Sequence, residues 1–182
     1  MALLGSAYAL ASAGCGDNPF AINWEVSPDT ALVYSLSRPE LNLPTAYDLV
    51  ETNAILIHAA NATGIWDFAL DDRDGGLVLL PPGVFGIAST AQITSLGRVP
   101  FDGVTRAPTD TTLYVSDQPV RMELGTVYAV RTHRGLGAGP FGETCFFYAK
   151  LEPLVIDVVN GTLTFVFDRN PFCSDPALVP EN

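Results

Sequence analysis

Residues 145–173 read CFFYAKLEPLVIDVVNGTLTFVFDRNPFC, a stretch dominated by aromatic and β-branched residues. Two strand-like runs, 146–159 and 162–167, flank Asn160-Gly161, a dipeptide that tolerates positive φ at both positions and suits a two-residue hairpin turn. Counting outward from that turn sets Ile156 against Phe165, Leu154 against Phe167 and Glu152 against Arg169. The last is an opposite-charge pair across the ladder, a favourable arrangement. The same count places Cys173 opposite Tyr148, three residues from Cys145. A bulge near Pro153 or Pro171 would close that gap, because proline interrupts ladder bonding. A Cys145–Cys173 disulfide is therefore expected, two separate buried thiols being the alternative.

The hairpin has companions upstream. Residues 65–71, IWDFALD, alternate, with Trp66, Phe68 and Leu70 on one face and Asp67, Ala69 and Asp71 on the other. The turn 72–75, DRDG, leads into 76–80, GLVLL, which is apolar on both faces and so predicted to be an internal strand. A further pair, 120–124 and 126–134, is hinged at Gly125. Its second run puts Tyr128, Val130 and Thr132 on one face and Val127, Ala129, Arg131 and His133 on the other. Helical character is confined to 45–51, TAYDLVE, enough for two turns. The stretches from Val84 onward and 97–110 read as Gly-, Pro- and Asp-rich loops. Many short strands without crossover helices predict an all-β fold: an antiparallel β-sandwich, Ig-like or barrel-like, with long loops. Residues 21–182 form its single domain.

Composition narrows the partners. Hydrophobic residues make up 48% of the 182, too many for a disordered chain. Nine basic residues face 20 acidic ones, and a formal net charge of -11 repels phosphate backbones, so nucleic acid is not an expected partner.

The first fourteen residues, MALLGSAYALASAG, carry no charge and are almost all small or apolar. That run is shorter than the roughly 20 residues needed to span a bilayer and has the length of a signal-peptide core. Ser12-Ala13-Gly14-Cys15 resembles the lipobox of bacterial lipoproteins, although the basic residues that normally open such a leader are missing. The resemblance implies cleavage before Cys15, attachment of a lipid to its thiol, and a short tether over 15–20. With Cys15 lipidated, Cys145 and Cys173 remain as an even pair, the arithmetic of an oxidising compartment. A short buried N-terminal element is the alternative. Further resemblance runs through 113–132, LYVSDQPVRMELGTVYAVRT, and through 145–173. There the chain resembles exported β-domain lipoproteins of bacteria and, more narrowly, the membrane-extrinsic accessory subunits of reaction-centre–antenna photosystems. This implies a periplasmic or extracellular, membrane-associated protein that braces a membrane protein complex.

Catalytic signatures are missing from the sequence. Neither His58 nor His133 lies in a metal-binding spacing, and there is no strand–turn–helix elbow for a serine nucleophile. No enzyme activity and no cofactor are expected. The acidic turn at Asp71, Asp72 and Asp74 offers the hard oxygens calcium prefers, yet Leu70 and Pro81 occupy the positions where an EF-hand needs ligands. Asp and Gly are also what a turn needs, so calcium is the lesser reading there. Arg121, Arg131, His133 and Arg134 form a possible docking patch for an anionic partner surface. The competing function is binding of a small ligand or carbohydrate, with Trp24 or Trp66 as the stacking platform. Alternation places Trp66 with the core.

Overall fold

The computed structural model describes residues 24–137 and 142–180. The expected leader 1–14, the cysteine expected to carry lipid, Cys15, and the expected tether 15–20 lie outside them. Twelve strands follow in chain order: β1 (Asp29–Tyr34), β2 (Ala46–Asp48), β3 (Asn53–Ile55), β4 (Phe68–Arg73), β5 (Gly76–Leu80), β6 (Gln92–Gly97), β7 (Val120–Arg121), β8 (Val127–Arg131), β9 (Gly135–Leu136), β10 (Thr144–Cys145), β11 (Tyr148–Asp157) and β12 (Thr162–Arg169). Two five-stranded sheets, ordered β1-β12-β11-β8-β6 and β3-β2-β4-β5-β7, pack face to face, with β9 and β10 as a separate ribbon. Every pairing between named strands is antiparallel. The all-β sandwich expected from turn spacing is the fold. Among the described residues, helix is limited to short 3₁₀ turns, and none is long and apolar enough to cross a membrane.

The core lies between the sheets. Tyr47 and Phe68 come from one sheet and Phe165 and Phe167 from the other. Tyr47 meets Phe165 and Phe167 edge-on at 5.3 and 5.2 Å, and Phe68 meets Phe165 at 5.6 Å. Such edge-to-face pairs add about 0.5–1.5 kcal/mol each beyond the area they bury. Leu70, Leu77, Leu79, Val130, Leu151 and Leu163 complete the layer. As the alternation of β8 predicts, Tyr128 and Val130 join this core, while Val127 and Ala129 face outward under Val104, Tyr114 and Leu178. The loops after β6 thus shelter the outer face of their sheet.

The β11–β12 hairpin exists, but its turn is longer than Asn160-Gly161. Asp157 pairs with Thr162, leaving a four-residue loop 158–161. The Asp157 carboxylate accepts from the Asn160 backbone N–H at 2.9 Å and its Nδ2 at 2.7 Å, and so stabilises the wider loop. Ile156 consequently faces Leu163 rather than Phe165. A bulge between Pro153 and Val155 shifts the register once more, setting Leu151 against Phe167 and Glu152 against Val166. The expected Glu152–Arg169 pair does not form. The longer turn moves the pairing by two residues and the bulge by one, together the three that separated the cysteines. Cys145 and Cys173 form the expected disulfide, with Cα atoms 5.5 Å apart.

The two-residue turn with positive φ at both positions occurs elsewhere, at Asp74 (φ 52) and Gly75 (φ 70), where Arg73 pairs with Gly76. β5 is internal, between β4 and β7, as its apolar faces predict. Residues 120–121 and 127–131, expected as a pair, belong to different sheets. Tyr128 explains the separation: its hydroxyl donates to the Arg121 carbonyl at 2.8 Å and accepts from the Glu123 N–H at 3.0 Å, tying the connection across the sandwich edge. The 45–51 stretch is not helical. β2 occupies its centre, because Tyr47 and the ladders to β3 and β4 outweigh a weak helical preference. β6 arises in a stretch expected to be a loop.

Candidate functional site

β4 begins only at Phe68, and the chain leading into it bends at Asp67. The bend sends Trp66 away from Phe68 and Leu70, to the outer face of its sheet with Ala69, Val78 and Leu80, where its ring meets Phe85 at 5.7 Å. Trp66 is buried, so it offers no stacking platform. The same bend turns the Asp67 carboxylate, fully buried, toward the end of β8.

There it meets His133. Asp67 Oδ1 accepts from the His133 backbone N–H at 2.6 Å and lies 2.9 Å from its Nδ1, while Oδ2 accepts from the Leu49 N–H at 2.7 Å. Asp48, at the end of β2, stands 3.9 Å from the same Nδ1. Its Oδ1 accepts from the N–H groups of Val50 and Glu51 at 2.7 and 3.1 Å, which closes the turn behind it. Thr132 locks the approach: its hydroxyl donates to the His133 carbonyl and accepts from the Phe147 N–H. A carboxylate bound to Nδ1 fixes the Nδ1–H tautomer and leaves Nε2 as the reactive nitrogen.

Burial works against the charged imidazole. The hydrogen bond to Asp67 and the charges of Asp67, Asp48 and Glu51 outweigh it, and the His133 pKa is raised. Burial likewise raises the pKa of Asp48, against the N–H bonds that favour its ionised form. Arg169 belongs to the same field: burial lowers its pKa, and Glu51, Asp48 and Asp67 raise it, while its guanidinium lies 4.9 Å over the Phe147 ring.

Asp48, Asp67 and His133 are close enough together to invite a metal. The donor set argues against one: both Asp67 oxygens and Asp48 Oδ1 already accept from N–H groups, so a cation would have to displace those bonds. The arrangement is an oriented histidine. His133 and Arg134 line a pocket of about 430 Å³ with Gly64, Ala88, Ser89 and Thr90.

The residues of the expected docking patch do not converge. Arg121 lies at the edge of the second sheet, exposed, with its guanidinium over Gly76. Arg131 sits on the outer face of the first, stacked 3.8 Å over Phe146. His133 and Arg134 share a pocket. At the acidic turn, Asp71 Oδ1 accepts from the Ser37 hydroxyl at 2.7 Å and from the Asp72 N–H at 2.9 Å, and Arg73 lies 3.4 Å from Oδ2. Trp24 lies half-buried against Phe172, lining a pocket of about 440 Å³ with Asp168 and Arg169.

Asp48 and Asp67 carry no sequence signal for this site. Asp67 and His133 are 66 positions apart, and only the pairing of two sheets brings them together. No family model, curated protein or solved structure matches the chain.

Proposed function

We propose that this protein is a non-catalytic extracytoplasmic subunit, tethered to a membrane through lipidated Cys15, that braces or docks onto a membrane protein assembly. The observation that carries the reading is the Cys145–Cys173 disulfide. Disulfides form and persist in oxidising compartments and are rare where thiols are kept reduced. It agrees with the lipobox-like stretch at 12–15, which would leave these two cysteines as the remaining pair.

A docking role is supported by the hairpin tip. Leu154, Val155 and Val158 are exposed, and Val159 is 95% exposed. Asp29 pairs with Phe167 and Tyr34 with Thr162, so the chain enters β1 at one end of the sheet and the β11–β12 loop projects from the other. The nine positions from Cys15 to Trp24, where the chain packs against Phe172, reach about 30 Å when extended. A tether of that length presents the apolar tip to the extracytoplasmic face of a neighbouring complex. By the resemblance of 113–132 and 145–173, a bacterial reaction-centre–antenna photosystem is one such complex. The test is purification from native membranes: the protein co-migrates with a membrane complex, pigmented in the photosystem case, and Val159→Asp releases it. A protein recovered only as a free monomer contradicts the reading.

Small-ligand or carbohydrate binding is a second reading, favoured by one feature. Around the Trp24 pocket, the indole Nε1 and Asp168 Oδ2 are both buried without hydrogen-bond partners among the described residues. Trp24→Ala in a glycan-binding screen decides it, with loss of a retained sugar the supporting result.

A further inference from the structure

We propose that the pocket beside His133 and Arg134 binds an oxyanion, held by the imidazole Nε2–H, the Arg134 guanidinium and the Ser89 hydroxyl. The geometry supplies each donor. Asp67 occupies Nδ1, and Nε2 makes no hydrogen bond among the described residues although His133 is only 7% exposed. Arg134 is exposed and forms no hydrogen bond or ion pair among them, on a chain whose net charge is -11. Ser89 Oγ accepts from the Ala91 N–H at 3.1 Å, so its own proton is available. The Thr90 proton is not, being given to the Thr132 carbonyl at 2.8 Å. Gly64 and Ala88 close the walls without acidic side chains.

The charges behind the ring set the pH dependence. Asp67 precedes β4, Asp48 and Glu51 lie at and after the end of β2, Arg169 ends β12, and Arg134 follows on His133's own segment. Together the carboxylates raise the imidazole pKa against the cost of burial, and Asp67 balances the charge of the protonated ring, so that Arg134 supplies the net attraction. Binding is therefore strongest where His133 is protonated and is lost as pH rises through its raised pKa.

For the docking reading, on which only the source of the anion depends, the oxyanion is a carboxylate of the partner; a free phosphate is the other source. The experiment is a titration of the full chain with acetate, and separately with inorganic phosphate, at constant ionic strength, following the His133 ring nitrogens by NMR. Saturable shifts are expected, weakening about tenfold in Arg134→Gln and several-fold in Ser89→Ala. Arg134 is exposed, so its variant folds. Tighter acetate binding supports a partner carboxylate, and tighter phosphate binding supports a phosphoryl ligand. No shift with either anion, or shifts unchanged in Arg134→Gln, overturns the proposal. Failure here leaves co-migration with a membrane complex untouched, so the two ideas fail separately.

Discussion

Asp67 accepts hydrogen bonds from the Leu49 and His133 N–H groups and from the His133 ring while fully buried. Asp67→Asn places an amide N–H₂ where one of those donors needs an acceptor. It is expected to cost about 3 kcal/mol in denaturant unfolding, and to lower the His133 pKa measured by NMR. The pH dependence of stability has a definite sign. A histidine with a raised folded pKa stabilises fully below its unfolded value, about pH 6.5, and loses that contribution as pH rises through the folded value. Asp48, also raised, acts in the same direction over the more acidic range. Thermal melts should show His133-dependent stability falling from mildly acidic to alkaline pH, and a His133→Gln variant should flatten that slope. Lys150, 1% exposed, makes a separate contact: its Nζ donates to the Phe101 and Val104 carbonyls at 3.0 Å each. Lys150→Met leaves both carbonyls without that donor and should destabilise by about 1–3 kcal/mol in the same denaturant assay. None of these partners was legible in the sequence. In the sequence His133 reads as a strand residue of a possible docking patch and Lys150 as one position of a long strand, and what they touch is fixed by loops and by the opposite sheet.

Among the elements, the β11–β12 hairpin shows how much a sequence pattern specifies. Residue types predict both strands, and of the two places expected for a bulge, Pro153 and Pro171, the first has it, whereas the turn was settled by the Asp157 side chain reaching Asn160, a competition that a dipeptide rule does not contain. Similarly, alternation located the faces of β8 and of β4 but was carried too far ahead of β4, to Trp66, because the bend at Asp67 serves the buried cluster rather than the strand. The disulfide closes a 28-residue separation, and removing it through Cys173→Ala should cost roughly 3–4 kcal/mol in denaturant melts. Gly137 lies directly against it: a Cβ there would collide with Cys173 Sγ and crowd the Glu143 carbonyl. Gly137→Ala should therefore lower the melting temperature of the oxidised protein, whereas a variant already lacking both cysteines should be much less sensitive.

Across the whole molecule, the sandwich was legible because its evidence is distributed: many short runs, turn residues between them, and no long helical repeat. The site was not, because it joins the end of β2, the entry to β4 and the exit of β8 through contacts with no local signature. The proposed location and role depend on two sulfur states, a lipid on Cys15 and a bond between Cys145 and Cys173. Intact mass spectrometry of protein purified from its native membranes, with and without reductant, measures both at once. The account predicts a chain that begins at Cys15, carries added lipid mass, and gains two hydrogens on reduction. A chain that retains Met1, carries no lipid and shows no mass change on reduction would contradict it.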